Sequence, residues 1–299
     1  MREVITMNCQ TVESTGLATP ESTFAMEAPE ILQRFENLPV FLPVVAQLLR
    51  VLDDPEVTKA KVALLVESDP SLAADTLRIA NSPLFGFAST IQTIPHAVGL
   101  LGIERIKRLA TTVTLRRYLK GLFANPVVHR LWAHSIACGV ISAEIASRTW
   151  VSRDRAYAAG LLHDIGRFGM IAGYPEKVIE LLSADYESVE DILPSERAAF
   201  GMDHCEAGCW LSKLWALPKT FSTISRSHHE ALDGQTGLEA LVSFSCRLST
   251  SLGFATVSCA GTESPEAVLA AWPSHRYVVL VEDLTDFVEK TKRALESLG

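Results

Sequence analysis

The sequence lacks the cysteine pattern of a disulfide-stabilised secreted domain. Its six cysteines include no C-x-x-C pair, and no signal-peptide pattern precedes them. Cys205 and Cys209 stand four residues apart, which suits either a metal clamp or small core packing. We favour packing, because no second pair exists to complete a tetrahedral site. We therefore expect reduced thiols and a cytoplasmic protein.

The chain also has fewer basic residues than acidic ones. The chain has 27 Lys and Arg against 35 Asp and Glu, a net charge of -8. This balance argues against binding to nucleic acid, which depends on Lys and Arg to neutralise phosphates. The uncharged run 79–103 contains two prolines and several polar side chains, so it fails as a membrane span. We expect protein partners or small ligands instead.

Helical patterns fill most of the chain, which at 48% hydrophobic residues can bury a large core. Residues 1–28, rich in Thr, Ser and Glu, are predicted to form a mobile leader. Pro39 and Pro43 interrupt the first helical pattern. Residues 258–264 have loop composition, and 277–281 fit either a strand or the extension of a helix. Spacing and cap signals predict helices at 58–68, 71–81, 104–120, 127–147, 204–217, 238–252, 265–272 and 285–298.

Histidine is the residue type that stands out. Six of the eight histidines lie between His129 and His229. A lone histidine is more often an ordinary core or surface residue than a ligand. Imidazoles and carboxylates are nevertheless the ligands that borderline divalent metals prefer. The candidate metal ligands are His134, His163, Asp164, His204, His228 and His229.

The local sequence around three of these candidates predicts that they are buried. His163 and Asp164 follow an apolar helical stretch, which we expect to end at Gly166. Burying these two groups without partners would be costly, so they need a metal or a hydrogen-bond network. His134 shares the spacing of one helix face with Cys138, so its imidazole is predicted to point inward.

The other three candidates lie at predicted helix ends. Asp203 and Glu206 flank His204 in the pattern of a capping box, which puts this histidine in the first turn of its helix. His228 and His229 close the next helix, before a turn signal. Four helix ends or faces are thus predicted to converge on one metal cluster.

Five segments of the chain form longer motifs. They are LPVFLP at 38–43, SDPSLAADTLRIANSPLFG at 68–86, IQTIPHAVGLLG at 91–102, LLHDIG at 161–166 and WALP at 215–218. The LLHDIG segment resembles the signature of the HD superfamily of metal-dependent phosphohydrolases. The other four resemble its HDOD branch, the HD-related output domain of bacterial signalling proteins. The resemblance covers about residues 29–252.

The resemblance implies an all-α fold of the multi-helix HDOD type. In this fold an N-terminal helical lobe, residues 29–121, packs beside an HD-like helical lobe, residues 122–252. The C-terminal extension, residues 253–299, is interpreted as a lid or a dimer contact.

The resemblance also implies roles for the candidate ligands. His134 matches the early His of the superfamily, and His163 with Asp164 matches the His-Asp doublet. The remaining three histidines fall where the HD-GYP branch, cyclic di-GMP phosphodiesterases, places its additional histidines. One or two divalent ions are implied, with iron, manganese and zinc as the options.

Departures from the family pattern bear on catalysis. Cys246 stands where the superfamily places a late metal-binding Asp, and the Tyr-Pro of the HD-GYP enzymes is absent after Gly234. A thiolate can bind a borderline metal but brings a different charge distribution. Arg167 stands where the enzymes tend to carry Lys, and Arg holds a phosphate as a bidentate fork. Asp164 and Arg167 are the catalytic candidates if the protein is an enzyme.

Two functions of different classes stay open at this point. One is a regulatory module with a degenerate HD-type metal site, which acts on signalling proteins through protein or nucleotide binding. The other is a metal-dependent phosphohydrolase that acts on a cyclic dinucleotide or another phosphoester. The missing late Asp and the resemblance to signalling outputs favour the first function, and the retained histidines favour the second.

One predicted helix is basic in this acidic chain. Residues 104–120 carry six basic side chains against one acid. A solvated helix face is the ordinary explanation, and docking of an acidic partner or a phosphorylated ligand is the alternative. The six are Arg105, Lys107, Arg108, Arg116, Arg117 and Lys120.

Overall fold

The computed structural model describes residues 28–38, 43–51, 54, 56–82, 86–188, 191–230, 237–272 and 282–298. The fold is all-α, as predicted. The N-terminal lobe contains α1 (Ala28–Glu36), α2 (Pro43–Arg50), α3 (Lys59–Glu67), α4 (Pro70–Ala80) and α5 (Ile94–Tyr118). The HD-like lobe contains α6 (Pro126–Ala146), α7 (Arg153–Leu162), α8 (Ile165–Gly173), α9 (Pro175–Ser183), α10 (Ile192–Phe200), α11 (His204–Leu214), α12 (Lys219–Ser227) and α13 (Gly237–Ser251). The extension contributes α14 (Pro265–Ala271) and α15 (Glu282–Leu298).

Some predictions fall outside the described residues. These are the leader up to residue 27, most of the motif at 38–43, the turn at 233–234 and the segment 277–281. Among the described residues, no helix is both long enough and apolar enough to cross a membrane.

Side-chain caps begin several helices where the sequence predicts them. Thr58 and Asp69 accept hydrogen bonds from backbone N–H groups in the first turns of α3 and α4. Thr93 caps α5 in the same way, but α5 begins at Ile94, ten residues before the helix predicted at 104–120. Asp203 and Glu206 form the predicted capping box at the start of α11. A cap satisfies N–H groups that have no partner inside the helix, so these boundaries depend on local sequence.

The prediction that Gly166 ends a helix is wrong. α7 ends at Leu162, and Gly166 lies inside α8. A Cβ atom at Gly166 would overlap the backbone carbonyl oxygen of His204 and lie 2.6 Å from the backbone nitrogen of Gly208. The glycine is therefore needed because α8 and α11 approach each other closely.

The prediction of a loop at 258–264 is wrong for its first two residues. Strand β2 (Ser258–Cys259) pairs in parallel with β1 (Asp185–Tyr186). The register places Asp185 opposite Ser258 and Tyr186 opposite Cys259. Neither two-residue strand has an alternating pattern that sequence reasoning can detect, because the pairing depends on tertiary contacts.

The two lobes share one hydrophobic core. A single cluster of buried side chains includes residues of the N-terminal lobe, such as Val45, and of the HD-like lobe, such as Leu131. A second cluster joins α13 to the extension through Phe244, Trp272 and Phe287. The lobes therefore pack side by side, and the described part of the extension packs on the HD-like lobe. Its role as a lid or a dimer contact stays a prediction.

Candidate metal centre

The six predicted ligands lie together in the HD-like lobe. They come from α6, from the junction of α7 and α8, from the first residue of α11 and from the C-terminal end of α12. Five of them are buried, with at most 2% of their area exposed. The sixth, His229, lies edge-on to His204 with 5.1 Å between the ring centroids.

Asp164 stands in the middle of the cluster. Its Oδ2 atom lies 3.9 Å from His134 Nε2 and 3.8 Å from His163 Nε2. Its Oδ1 atom lies 3.4 Å from His204 Nε2 and 3.3 Å from His228 Nε2. Each carboxylate oxygen therefore faces its own pair of imidazoles.

The spacing of these atoms matches that of ligands sharing one ion. Metal–nitrogen bonds of roughly 2.05 Å place two ligand nitrogens about 3.3 Å apart in a tetrahedron, and a sulfur and a nitrogen about 3.6 Å apart. The Nε2 atoms of His134 and His163 are 3.2 Å apart. Cys246 Sγ lies 3.5 Å from His134 Nε2. The structure thus adds Cys246, the residue at the late Asp position, to the candidate ligands.

Hydrogen bonds on the outer side of the cluster orient three of the imidazoles. In each, Nδ1 lies within hydrogen-bond distance of a backbone carbonyl oxygen, which can only accept, so Nδ1 is the protonated nitrogen. Nε2 then carries the lone pair and faces the centre, as in histidines that bind metals. The pairs are His134 Nδ1 to Phe254 O at 2.8 Å, His163 Nδ1 to Gly160 O at 2.6 Å and His228 Nδ1 to Ser225 O at 2.9 Å.

Burial determines the charge of these groups. Desolvation lowers the pKa of His134 and holds the pKa of His163 and His204 well below that of free imidazole, so these rings are neutral. Burial acts to raise the pKa of Asp164, but the Arg167 guanidinium and the surrounding histidines together outweigh it and hold this pKa well below its usual range. The centre therefore contains an ionised carboxylate among neutral imidazoles.

These charges and orientations fit a metal ion. Asp164 Oδ1 and His228 Nε2 have no hydrogen-bond partner among the described residues. The Nε2 atoms of His134 and His163 each direct a lone pair toward the other, so neither can donate a hydrogen bond to the other. Buried acceptors without donors are unfavourable, and a divalent cation supplies the positive charge that the arrangement lacks. A mixture of nitrogen, oxygen and sulfur donors suits zinc or iron better than manganese, which prefers oxygen ligands.

A second thiol lies on the other side of Asp164. Cys205 Sγ is 3.5 Å from His204 Nε2, and the two residues form one group of metal-ligand type with His228 and His229. Burial raises the pKa of Cys205 well above its usual value. The sequence predicts core packing for this residue, and its position makes it a candidate ligand as well.

Arg167 lies inside the centre and is buried. Its Nη1 atom donates to Asp164 Oδ2 at 2.9 Å and to Thr256 Oγ1 at 2.8 Å, and its Nε atom is 3.5 Å from Glu196 Oε1. Burial raises the pKa of Glu196 to about 7, and its Oε2 atom lies 2.6 Å from His204 Nδ1. The guanidinium therefore compensates two buried carboxylates. Its contact with a phosphate stays a prediction.

Sequence reasoning missed three residues around the centre. Glu196 shares one buried face of α10 with Ile192 and Phe200, four residues away on either side. A carboxylate on an apolar helix face is a signal that could have identified it. Phe254 and Thr256 have no such local signal, because tertiary packing alone brings them to the centre.

The helical fold and the His-Asp doublet at a helix junction place the chain in the class of HD-type helical domains. The HDOD domain family model matches residues 38–231, and the chain belongs to the HDOD family. An uncharacterized protein of Treponema pallidum (strain Nichols) is 26% identical over 209 residues, which make up 68% of this chain and 39% of that protein. The chain thus spans about two fifths of the length of this curated relative.

Solved structures share the fold. An HDOD domain protein from Geobacter sulfurreducens is 25% identical, with a TM-score of 0.65 and coverage of 91% of this chain and 97% of that chain. A candidate signal transduction protein from Marinobacter aquaeolei VT8 is 20% identical, with a TM-score of 0.69 and coverage of 90% and 60%. A candidate phosphohydrolase from Shewanella amazonensis SB2B is 19% identical, with a TM-score of 0.65 and coverage of 91% and 99%. The last two proteins are 20% and 19% identical to this chain, so their similarity shows the fold alone.

Proposed function

We propose that this protein is a regulatory signalling module in which a closed HD-type metal centre stabilises the fold. In this proposal the signal passes through contacts with a partner protein or a nucleotide. The observation that carries the proposal is the closure of the centre, since His163, Asp164 and His204 are at most 1% exposed. Hydrolysis needs an open position that water and substrate can reach, whereas structural metal sites are closed.

The segment after α13 contributes to this closure. The Phe254 carbonyl accepts a hydrogen bond from His134, and the Thr256 hydroxyl accepts one from Arg167. Strand β2 follows directly and is held by its pairing with β1. This anchored segment therefore covers the His134 and Arg167 side of the centre, which supports a structural role for the metal.

Cys246 supports the same proposal. In the superfamily that this chain resembles, the late Asp both binds the metal and orients the attacking water. A cysteine sulfur is a softer ligand and a weak hydrogen-bond acceptor, so it can hold an ion without orienting water. The cysteine therefore preserves a ligand for the metal and removes the side chain that would orient the attacking water.

A divalent ion bound here would supply positive charge and Lewis acidity. The residues that would hold it belong to α6, the α7–α8 junction, α11, α12 and α13. Binding by ligands so far apart in the chain would stabilise the packed arrangement of these helices, because the unfolded chain does not present them together.

A metal-dependent phosphohydrolase is the second candidate, and the position of Asp164 favours it. Each of its oxygens faces a separate pair of imidazoles, an arrangement that suits a carboxylate shared by two ions. Two-ion sites are common in enzymes that cleave phosphoesters. Arg167 Nη2 also has no hydrogen-bond partner among the described residues, so it could donate to a phosphate if the site opened.

Metal analysis is the first experiment. The protein is purified without chelator, without affinity-resin nickel and under low oxygen, and metals are measured by mass spectrometry. We expect one or two zinc, iron or manganese ions per chain, which are lost in His163→Ala. His96→Ala is the matched control, since His96 is exposed on α5 and is not a candidate ligand. A wild-type protein that holds no metal would contradict both candidate functions.

Activity measurements then separate the two candidates. Metal-loaded protein is incubated with bis-p-nitrophenyl phosphate and with cyclic di-GMP, and phosphate ester hydrolysis is followed. We expect no turnover. Turnover that requires the metal and is abolished by Asp164→Ala would replace the regulatory proposal with the enzyme. Turnover that appears only in Cys246→Asp would show that the cysteine is what prevents hydrolysis.

A further inference from the structure

Each pair of imidazoles beside Asp164 has a cysteine sulfur of its own. On one side, Cys246 Sγ lies 3.5 Å from His134 Nε2. On the other side, Cys205 Sγ lies 3.5 Å from His204 Nε2. Both separations match the spacing of about 3.6 Å that a sulfur and a nitrogen have when they bind one tetrahedral ion.

The side chains around Asp164 fall into two groups of metal-ligand type. They are His134, His163 and Cys246 in the first group, and His204, Cys205, His228 and His229 in the second group. Within each group the potential ligand atoms lie within 4.8 Å of one another. Asp164 directs its Oδ2 atom toward the first group and its Oδ1 atom toward the second.

Cys205 reaches the second group because of its place in α11. It is the second residue of that helix, directly after His204, and only 4% of its area is exposed. The capping box of Asp203 and Glu206 fixes the backbone of this first turn. Cys209, one turn further along the same helix, is only partly buried and belongs to neither group. The two cysteines of α11 therefore differ in what they can bind.

The second group contains polar atoms that a cation would satisfy. His228 Nε2, His229 Nε2 and Asp164 Oδ1 are buried and have no hydrogen-bond partner among the described residues. The proton of His228 is on Nδ1, which donates to the Ser225 carbonyl oxygen at 2.9 Å. His228 Nε2 and Asp164 Oδ1 thus face each other as two acceptors, 3.3 Å apart. A cation bound by both atoms removes the cost of burying them unpaired.

The side chains offer enough donors for two ions. The first group and Asp164 Oδ2 provide four donor atoms, which is the number in a tetrahedral structural site. The second group and Asp164 Oδ1 provide five. Neither ion therefore needs water to complete its coordination, whereas hydrolysis needs a position that water can occupy.

We infer that Cys205 is a metal ligand, so that the centre holds two zinc ions with one cysteine thiolate each. This inference rests on the metal centre of the proposed function and adds the number of ions, their identity and the second sulfur. Each thiol releases its proton to solvent as its metal–sulfur bond forms. Nitrogen and sulfur donors in a tetrahedral arrangement favour zinc. Two ions held in this way stabilise the packing of the helices and do not activate water.

X-ray absorption spectroscopy at the zinc edge tests the inference on the zinc-loaded full chain. We expect two zinc ions per chain and an average of one sulfur per zinc at about 2.3 Å, with nitrogen and oxygen at about 2.0–2.2 Å. The measurement uses the wild-type protein, so it decides the question even if a cysteine variant does not fold.

Cobalt(II) in place of zinc assigns the second sulfur. Charge-transfer absorption in the near ultraviolet reports the cobalt–thiolate bonds. We expect the absorption per chain to fall to about half in Cys205→Ala and also in Cys246→Ala, because each variant loses one of two such bonds. Cys209→Ala is the matched control, since it removes a thiol from the same helix outside both groups. It should keep the full absorption and both ions.

Several results would overturn the inference and leave a metal centre in place. They are one ion per chain, two ions with an average of half a sulfur each, unchanged cobalt absorption in Cys205→Ala, and equal loss of absorption in Cys209→Ala. A wild-type chain that binds neither zinc nor cobalt would instead contradict the proposed function together with this inference. The two failures are therefore distinguishable.

Discussion

Gly166→Ala tests whether the packing of α8 against α11 controls the metal centre. The added Cβ would overlap the His204 carbonyl oxygen and lie 2.6 Å from Gly208 N. Ordinary van der Waals separations are roughly 3.5 Å, so the two helices would have to move apart by about 1 Å. Asp164 stands just before α8, and His204 is the first residue of α11. The movement would therefore separate two candidate ligands as well as opening the core.

The expected magnitude follows from this overlap. Inserting a methyl group into a closely packed contact costs about 3 kcal/mol, the upper part of the usual range for overpacking. For a domain of this size that cost lowers the melting temperature by roughly 6 to 12 °C. Circular dichroism measures the melting temperature, and mass spectrometry measures the bound metal. We expect both to decrease in the same variant.

Gly99→Ala is the matched control for this substitution. Gly99 lies inside α5, and a Cβ there would meet no atom within 4 Å. Alanine is the better helix former, so this variant should gain about 0.5 to 1 kcal/mol and keep its metal. A Gly166→Ala protein with unchanged melting temperature and metal content would refute the reasoning about close helix approach.

Three further predictions concern stability. EDTA should lower the melting temperature of the wild type but not of His163→Ala. A metal ion present at a hundredfold its dissociation constant contributes about 2.7 kcal/mol to the free energy of unfolding, and EDTA removes that contribution. Equal shifts in the two proteins would contradict this prediction. Burial and the neighbouring Glu104 raise the pKa of Asp154 to about 8, so stability from this group is lost as pH rises from about 4 to about 8. The urea midpoint should therefore fall more steeply with pH in the wild type than in Asp154→Asn, and identical slopes would rule this out. Asp203→Ala removes the cap of α11 and should cost about 1 kcal/mol in urea unfolding, where an unchanged midpoint would disprove the role of the cap.

Much of the helical structure could be predicted because its causes are local. The start of α11 depends on Asp203, which directly precedes the helix, and on Glu206 in its first turn. The start of α4 depends on Asp69 and on Pro70 at the first helical position. Signals of this kind can be recognised without knowing what the helix packs against. The prediction at Gly166 failed for the opposite reason, because the role of this glycine is set by another helix.

Local sequence also predicts some features of the candidate site and not others. The inward direction of His134 could be predicted from helical spacing, and so could the burial of His163 and Asp164, since both depend on neighbouring residues. The acceptor that orients His134 is Phe254, 120 residues further along the chain, and no local pattern indicates it.

Local patterns in the chain were sufficient to predict many of its helices, though not α9 and α10, and to identify side chains of the types that bind metals. The tertiary structure was needed to decide which atoms face one another and how completely the centre is closed. The physical reason is that caps and helical spacing act over a few residues, whereas convergence and closure arise from the packing of segments that are distant in sequence.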